Sequence, residues 1–183
     1  MQIDTERLII KSARTEFAPA ITKFYLSNKA FFADSQPLRD AHFFTVEHWV
    51  QNLKHLAASF EDDSIYQFYL FEKSNEEHVI GQVGLSGIQR AAFQACFLGY
   101  QLDQQKNGCG LMHEALTAII HWAFAHQNFH RIMANYVPCN TKSASVLNKL
   151  GFTIEGVAKD YLFLNGEWQD HVLTSLINDR FKF

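Results

Sequence analysis

The chain has 183 residues, 48% of them hydrophobic and 19% charged, a globular composition that argues against disorder and is long enough for one substantial core. A net charge of −3, with no run of Lys or Arg forming a basic stripe, argues against duplex nucleic acid as a direct ligand. Cys96, Cys109 and Cys139 cannot all pair with one another and match no zinc spacing, Met1 to Arg7 lacks the blocks of a signal peptide, and no apolar run reaches membrane-spanning length, so the expected setting is the cytoplasm, with no metal and no membrane contact.

Leu8 to Ile10 reads as a short strand. Thr15 stands where it would cap the next helix, in which Phe17, Ile21, Phe24 and Tyr25 recur at helical spacing. The Phe-rich section from Asn28 to Phe44 has no clear period, and Pro37 breaks any helix within it. Thr45 opens a second helix whose apolar positions Val46, Trp49, Val50, Leu53, Leu56 and Ala57 share a face, closed by the acidic Glu61-Asp62-Asp63. The period then becomes two. Tyr66 to Glu72 is strand-like, Lys73 to Glu77 is a hairpin turn, and Val79 to Ile88 is a second strand in which Gly81, Gly84 and Gly87 mark bulges or close approaches. Ala92 to Leu102 makes a third. Leu111 to His126 is an amphipathic helix, Arg131 to Val137 a strand stopped by Pro138, and Thr141 to Leu150 a short helix ending at Gly151. Asn165-Gly166 joins two last strands, Phe152 to Leu164 and Trp168 to Leu176. The expected organisation is one α+β domain spanning 1–183, without linker or repeat.

Between the third of these strands and the long helix lies Gln105-Lys106-Asn107-Gly108-Cys109-Gly110-Leu111. Two glycines at a strand–helix junction let the backbone curl and leave N–H groups pointing outward at the positive end of the helix dipole. The result is an anion site suited to a pyrophosphate. Downstream, Asn140 can cap the helix that starts at Thr141, or offer its amide to the amides of a ligand, or both. Ser143 is a hydroxyl in the first turn of that helix. His113-Glu114 begins like a zinc-protease helix but lacks the second His, which leaves a solvated helix face, and His126 and His130 fall on either side of a helix end.

With these elements in order, the chain resembles the GNAT N-acetyltransferase superfamily. Its signature, Gln/Arg-x-x-Gly-x-Gly/Ala, is met by Gln105, Gly108 and Gly110, and its Asn, short helix and Gly-Phe pair read here as Asn140, Thr141 to Leu150 and Gly151-Phe152. Thr5-Glu6-Arg7-Leu8, His130 to Tyr136, Lys159-Asp160-Tyr161 and Gly166-x-Trp168-x-Asp170-His171-Val172-Leu173 are similar to blocks of the ribosomal-protein-alanine N-acetyltransferases, and among them the type acting on small-subunit protein S5. The resemblance implies a mixed, mostly antiparallel twisted sheet of about seven strands flanked by about four helices, with splayed central strands. It implies acetyl-CoA as co-substrate, held by the strand edge at Tyr100 and Leu102, by Gln105, Lys106, Asn107, Gly108, Cys109, Gly110 and Leu111 of the loop, and by Asn140. It further implies direct transfer in a ternary complex to the α-amine of a ribosomal protein that begins with Ala, free or on a ribosomal subunit.

In the same comparison Ser143 is the acid that protonates the departing CoA thiolate; the Tyr that many members use one turn later is Leu147 here. Members often carry a Glu base on the fourth strand, where this chain has Gln94, Ala95, Cys96 and Phe97. Glu155, Asp160, Asp170 and His171 are the remaining candidates, and strand alternation places Asp170 and His171 on opposite faces. An α-amine, with a pKa of about 8 against about 10.4 for Lys, is satisfied by a weak base. Two other readings stand beside this one: acetylation of a small amine such as a polyamine or an antibiotic, and a silent acyl-CoA-binding module serving ribosome assembly. Phe31, Phe32 and Phe43 shape a peptide groove or belong to the core, and the oligomeric state is left open.

Overall fold

Phe68 and Leu70 point to one side of a strand and Tyr69 and Phe71 to the other, and all four are sealed from solvent. Burial on both faces places that strand inside a sheet with a packed layer on each side. The computed structural model describes residues 1–33 and 36–182. Among them run β1 (Gln2–Asp4), β2 (Leu8–Ser12), α1 (Ala18–Ser27), α2 (Lys29–Phe32), α3 (Val46–Glu61), β3 (Tyr66–Glu72), β4 (Asn75–Gln89), β5 (Ala95–Leu102), α4 (Leu111–His126), β6 (Arg131–Met133), α5 (Thr141–Lys149), β7 (Thr153–Leu164) and β8 (Glu167–Ile177).

All these strands form one sheet in the order β1-β2-β3-β4-β5-β6-β8-β7. Every neighbouring pair is antiparallel except β5 and β6, which run parallel. On one face α4 and α5 pack through Leu116, Ile119, Ala123 and Leu147 against Phe68, Leu70, Val83 and Leu98. On the other, α1 and α3 cover Tyr69 and Phe71 with Ile21, Phe24, Trp49 and Leu53. No helix is long and apolar enough to cross a membrane among the described residues.

The architecture agrees with the expected α+β sheet of splayed strands, with one more strand and one more helix than the pattern suggested. The extra strand, β1, is too short to show a period. Thr15 does not cap α1: it lies inside a short 3-10 turn, and α1 begins at Ala18 with Pro19 in its first turn. Thr45 does cap α3, its hydroxyl accepting from the His48 N–H at 3.2 Å. Gly81 is a place of close approach, since a Cβ there would lie 2.7 Å from the Gln101 carbonyl oxygen. The segment expected to be a strand from Arg131 to Val137 is paired with β5 only as far as Met133. Beyond that point Ala134 N–H turns to Thr174 O (3.0 Å) and Tyr136 N–H to Val172 O (3.2 Å), so the chain follows β8 and leaves β5. That divergence opens a wedge in the middle of the sheet.

Candidate active site

The wedge exposes one edge of β5. Asp103 N–H donates to Ile80 O at 2.8 Å, and the register continues with Gln101 opposite Gln82 and Gly99 opposite Gly84. Antiparallel neighbours bond at alternate positions, so Gln101 and Gly99 turn their main-chain groups toward β4 while Leu98, Tyr100 and Leu102 turn theirs the other way. On that side β6 pairs with Ala95, Cys96 and Phe97 alone. The parallel register of Phe97 with Met133 takes the Leu98 N–H, and beyond it the N–H and C=O groups of Tyr100 and Leu102 line an open edge, an unfilled strand position for an extended amide-bearing ligand.

The glycine loop sits at the end of this edge. Its first part is knotted on itself: Gln105 N–H bonds Asp103 Oδ1 (2.8 Å), Lys106 N–H bonds Asp103 O (3.0 Å), and Asn107 N–H reaches Gln104 O (3.4 Å). The Asn107 side chain is spent in the same way on Asp103 O and Gln104 O, and Lys106 pairs with Glu72 at 2.6 Å. The Gln105 side chain faces a separate groove of about 620 Å³ shared with Lys23, Glu72 and His78. The outward N–H groups are those of Gly108, Cys109 and Gly110, which have no acceptor among the described residues, and those of the first turn of α4. Gly110 is the residue before the helix, at φ +77°, a left-handed conformation that glycine adopts without a Cβ penalty.

A clamp beneath the loop holds it in place, centred on Glu114, which the sequence pattern alone places on a solvated helix face. Glu114, in the first turn of α4, accepts from the Thr5 hydroxyl (2.6 Å), the Arg7 N–H (2.8 Å) and Arg7 Nε (2.7 Å). Arg7 Nη1 then donates to Cys109 O at 2.9 Å. The pair joins residues more than a hundred positions apart, which no local spacing displays. Burial pushes the Glu114 carboxyl up, but the bonds from Thr5 and Arg7 outweigh it and hold the group below the ordinary carboxylate range. A folded pKa below the unfolded one stabilises the fold at pH values above the ordinary 4.5, and that contribution fades as pH falls through the depressed folded value. Glu114→Gln is accordingly expected to melt below the wild type at neutral pH, with the two melting temperatures converging as pH falls below 4.5. A gap that stays constant across that range would remove Glu114 as the titrating group.

On the far side of the wedge, Asn140 caps α5. Its Oδ1 accepts from the Ser143 N–H at 3.0 Å, so the capping role is present, and its Nδ2 has no partner among the described residues. Ser143 Oγ lies 2.6 Å from the Tyr100 hydroxyl. This pairing across the wedge was not visible in the sequence, because it depends on β5 and α5 facing one another. Burial pushes the Tyr100 phenol up to about 12, so it keeps its proton at neutral pH. Leu147, one turn on, is sealed in the core. Tyr100, Gln101, Asn140 and Ser143 are shared by two cavities, of about 260 Å³ toward Phe31, Asn107 and Met112 and about 200 Å³ toward Tyr136, Leu164 and His171.

Two of the carboxylates considered as bases, Glu155 and Asp170, are tied up elsewhere. Glu155 is held below the usual range chiefly by Arg131, with Ser175 donating at 2.8 Å. Asp170 is lowered chiefly by the Lys159 ammonium at 2.5 Å, and also accepts from the Asp160 N–H. Asp160 itself is exposed in a register shift of β7. His171 alone among the four lines the cavity beside Ser143. No group of three or more His, Cys, Asp or Glu side chains is arranged to hold a metal ion among the described residues.

Residues 7–153 match the model of the acetyltransferase (GNAT) domain family. Over 176 residues the chain is 39% identical to the ribosomal protein uS5-alanine N-acetyltransferase of Escherichia coli, a match covering 96% of this chain and 90% of that one. The crystal structure of ribosomal-protein-S5-alanine acetyltransferase from Vibrio fischeri superposes with a TM-score of 0.96 at 40% identity, covering 100% of both chains. RimJ from Mycobacterium smegmatis, in complex with CoA-disulfide, superposes with a TM-score of 0.89 at 23% identity, over 96% of this chain and 86% of that one, and shares the fold.

Proposed function

The chain belongs to the GNAT acetyltransferase family, and from that premise we propose that it moves an acetyl group from acetyl-CoA to the α-amine of a ribosomal protein whose first residue is Ala. The observation that carries this reading is the Ser143–Tyr100 hydroxyl pair, 2.6 Å long and set beside the unpaired edge of β5.

Acetyl-CoA supplies an activated acyl carbon, a thiolate leaving group and a pyrophosphate handle. The N–H groups from Gly108 into the first turn of α4 fit that pyrophosphate, reinforced by the helix dipole. The main-chain edge of Tyr100 and Leu102, together with Asn140 Nδ2, fits the amides of the pantetheine arm and polarises the acyl oxygen. Tyr100, protonated at neutral pH, donates to Ser143 Oγ, and the Ser143 hydroxyl keeps its own proton for the departing thiolate. The two cavities that meet at Ser143 give donor and acceptor separate entries, which suits direct transfer within a ternary complex. The ribosomal acceptor comes from the relatives: the Escherichia coli and Vibrio fischeri proteins are both alanine acetyltransferases of the same small-subunit protein. A ribosomal acceptor supports a cytoplasmic setting.

Consumption of acetyl-CoA against a panel tests this reading. An Ala-starting ribosomal peptide is expected to be turned over, and the same peptide blocked at its N-terminus, free polyamines and a lysine-only peptide are not. Equal turnover of blocked and unblocked peptides would overturn the α-amine assignment, turnover of polyamines alone would favour a small-amine acceptor, and CoA binding without any turnover would favour a silent binding module.

A further inference from the structure

The wedge holds a proton donor in Ser143, but Glu155 and Asp170 are engaged in ion pairs, Asp160 is exposed in a register shift of β7, and the group that removes the proton from the incoming amine has to be found elsewhere. His171 lies on β8, is only 4% exposed, and lines the cavity of about 200 Å³ that also contains Tyr100, Asn135, Tyr136 and Ser143. Its Nδ1 is 3.0 Å from the main-chain oxygen of Gln169. A carbonyl oxygen can only accept, so Nδ1 carries the proton and Nε2 of the neutral ring is a bare acceptor. Nε2 has no partner among the described residues, and it is not among the buried polar atoms sealed without one, which are Trp49 Nε1, Tyr69 OH, His130 Nδ1 and Arg131 Nε. The ring is held by Tyr161, 5.3 Å away between centroids, whose hydroxyl is itself fixed by Asn135 Nδ2 at 3.1 Å. Tyr161 comes from β7, Tyr100 of β5 and Tyr136 of the segment after β6 line the same cavity, and Asp170, the preceding residue of β8, pairs with Lys159 of β7 and interacts electrostatically with His171.

We infer that His171 is the general base of the reaction: its Nε2 accepts the proton of the attacking α-amine, directly or through one water. This rests on the acetyl-transfer reading above. The amine nitrogen bonds to the acyl carbon and its proton passes to Nε2. The carbon–sulfur bond then breaks with its electron pair on sulfur, and the thiolate takes the Ser143 proton. Ser143 is reprotonated through Tyr100 from solvent and His171 releases its proton to solvent, so that one proton has moved from amine to thiol and the side chains are restored.

His171→Gln is expected to lower kcat for the Ala-starting peptide by about 10²-fold or more, with CoA affinity by calorimetry unchanged. Its deficit should shrink from pH 7 to pH 9, where more of an α-amine of pKa about 8 is already neutral. In His171→Gly, added imidazole should restore turnover in proportion to its concentration. Turnover of His171→Gln within threefold of wild type would overturn the assignment, and so would a deficit that neither imidazole nor higher pH relieves, since that loss would be structural. A wild type that fails to turn over the unblocked peptide would instead overturn the acetyl-transfer reading itself, whatever the variants do.

Discussion

Ser143→Ala is expected to lower kcat by about 10²-fold to 10³-fold while leaving the Kd for CoA unchanged. The reason lies in what Ser143 touches. Its oxygen meets the Tyr100 hydroxyl across the wedge, and neither the outward N–H groups at Gly108 to Gly110 nor the main-chain edge of β5 depends on it. Removing it leaves the thiolate to take its proton from water, and leaves the buried phenol of Tyr100 without a partner. Tyr100→Phe keeps the Ser143 hydroxyl but removes the group that orients it, so its kcat should fall less, by about tenfold. Steady-state kinetics with CoA calorimetry separate these outcomes. A Ser143→Ala enzyme with unchanged kcat would take the hydroxyl out of the mechanism, and one that loses CoA affinity instead would make it a binding group.

Gly110→Val should act on the opposite half of the reaction. At φ +77° a side chain costs about 1–2 kcal/mol, more when β-branched, although the space itself is open: a Cβ would lie 3.6 Å from Arg7 Nη2, an ordinary contact. Relief of that strain is expected to rotate the N–H groups of the loop out of their present orientation. The expected result is a CoA Kd raised about tenfold or more, with kcat at saturating acetyl-CoA nearly retained. A variant that binds CoA as tightly as the wild type would show that the donors at Gly108 to Gly110 do not carry the pyrophosphate.

Much of the fold was legible because strong periods survive in tertiary context. Leu111 to His126 is the helix its pattern describes, and Thr45, Tyr66 to Glu72 and Asn165-Gly166 behave as their local chemistry requires. What stayed hidden depended on contacts between distant segments. The strand after His130 stops at Met133 because its N–H groups are taken by β8, which nothing within that strand records. Glu114 looked like surface until Thr5 and Arg7 arrived from the N-terminus. Asp63, in the acidic run that closes the second long helix of the pattern, is paired with Arg90 from beyond β4. At the site, the glycine pattern placed the loop correctly in the chain but could not separate Lys106 and Asn107, whose N–H groups close the loop, from Gly108, Cys109 and Gly110, whose N–H groups face out. Alternation alone did place Asp170 and His171 on opposite faces, and the structure puts only His171 in the cavity.

The transfer itself is most directly tested by mass spectrometry of the product. The small-subunit ribosomal protein, beginning with Ala and carrying its natural lysines, is incubated with the enzyme and acetyl-CoA, and the acetyl group is located by fragmentation. The expected product carries a single acetyl group on the N-terminal nitrogen, formed only when donor and acceptor are present together. Acetyl groups on lysine side chains, or an unmodified N-terminus beside consumed acetyl-CoA, would contradict it.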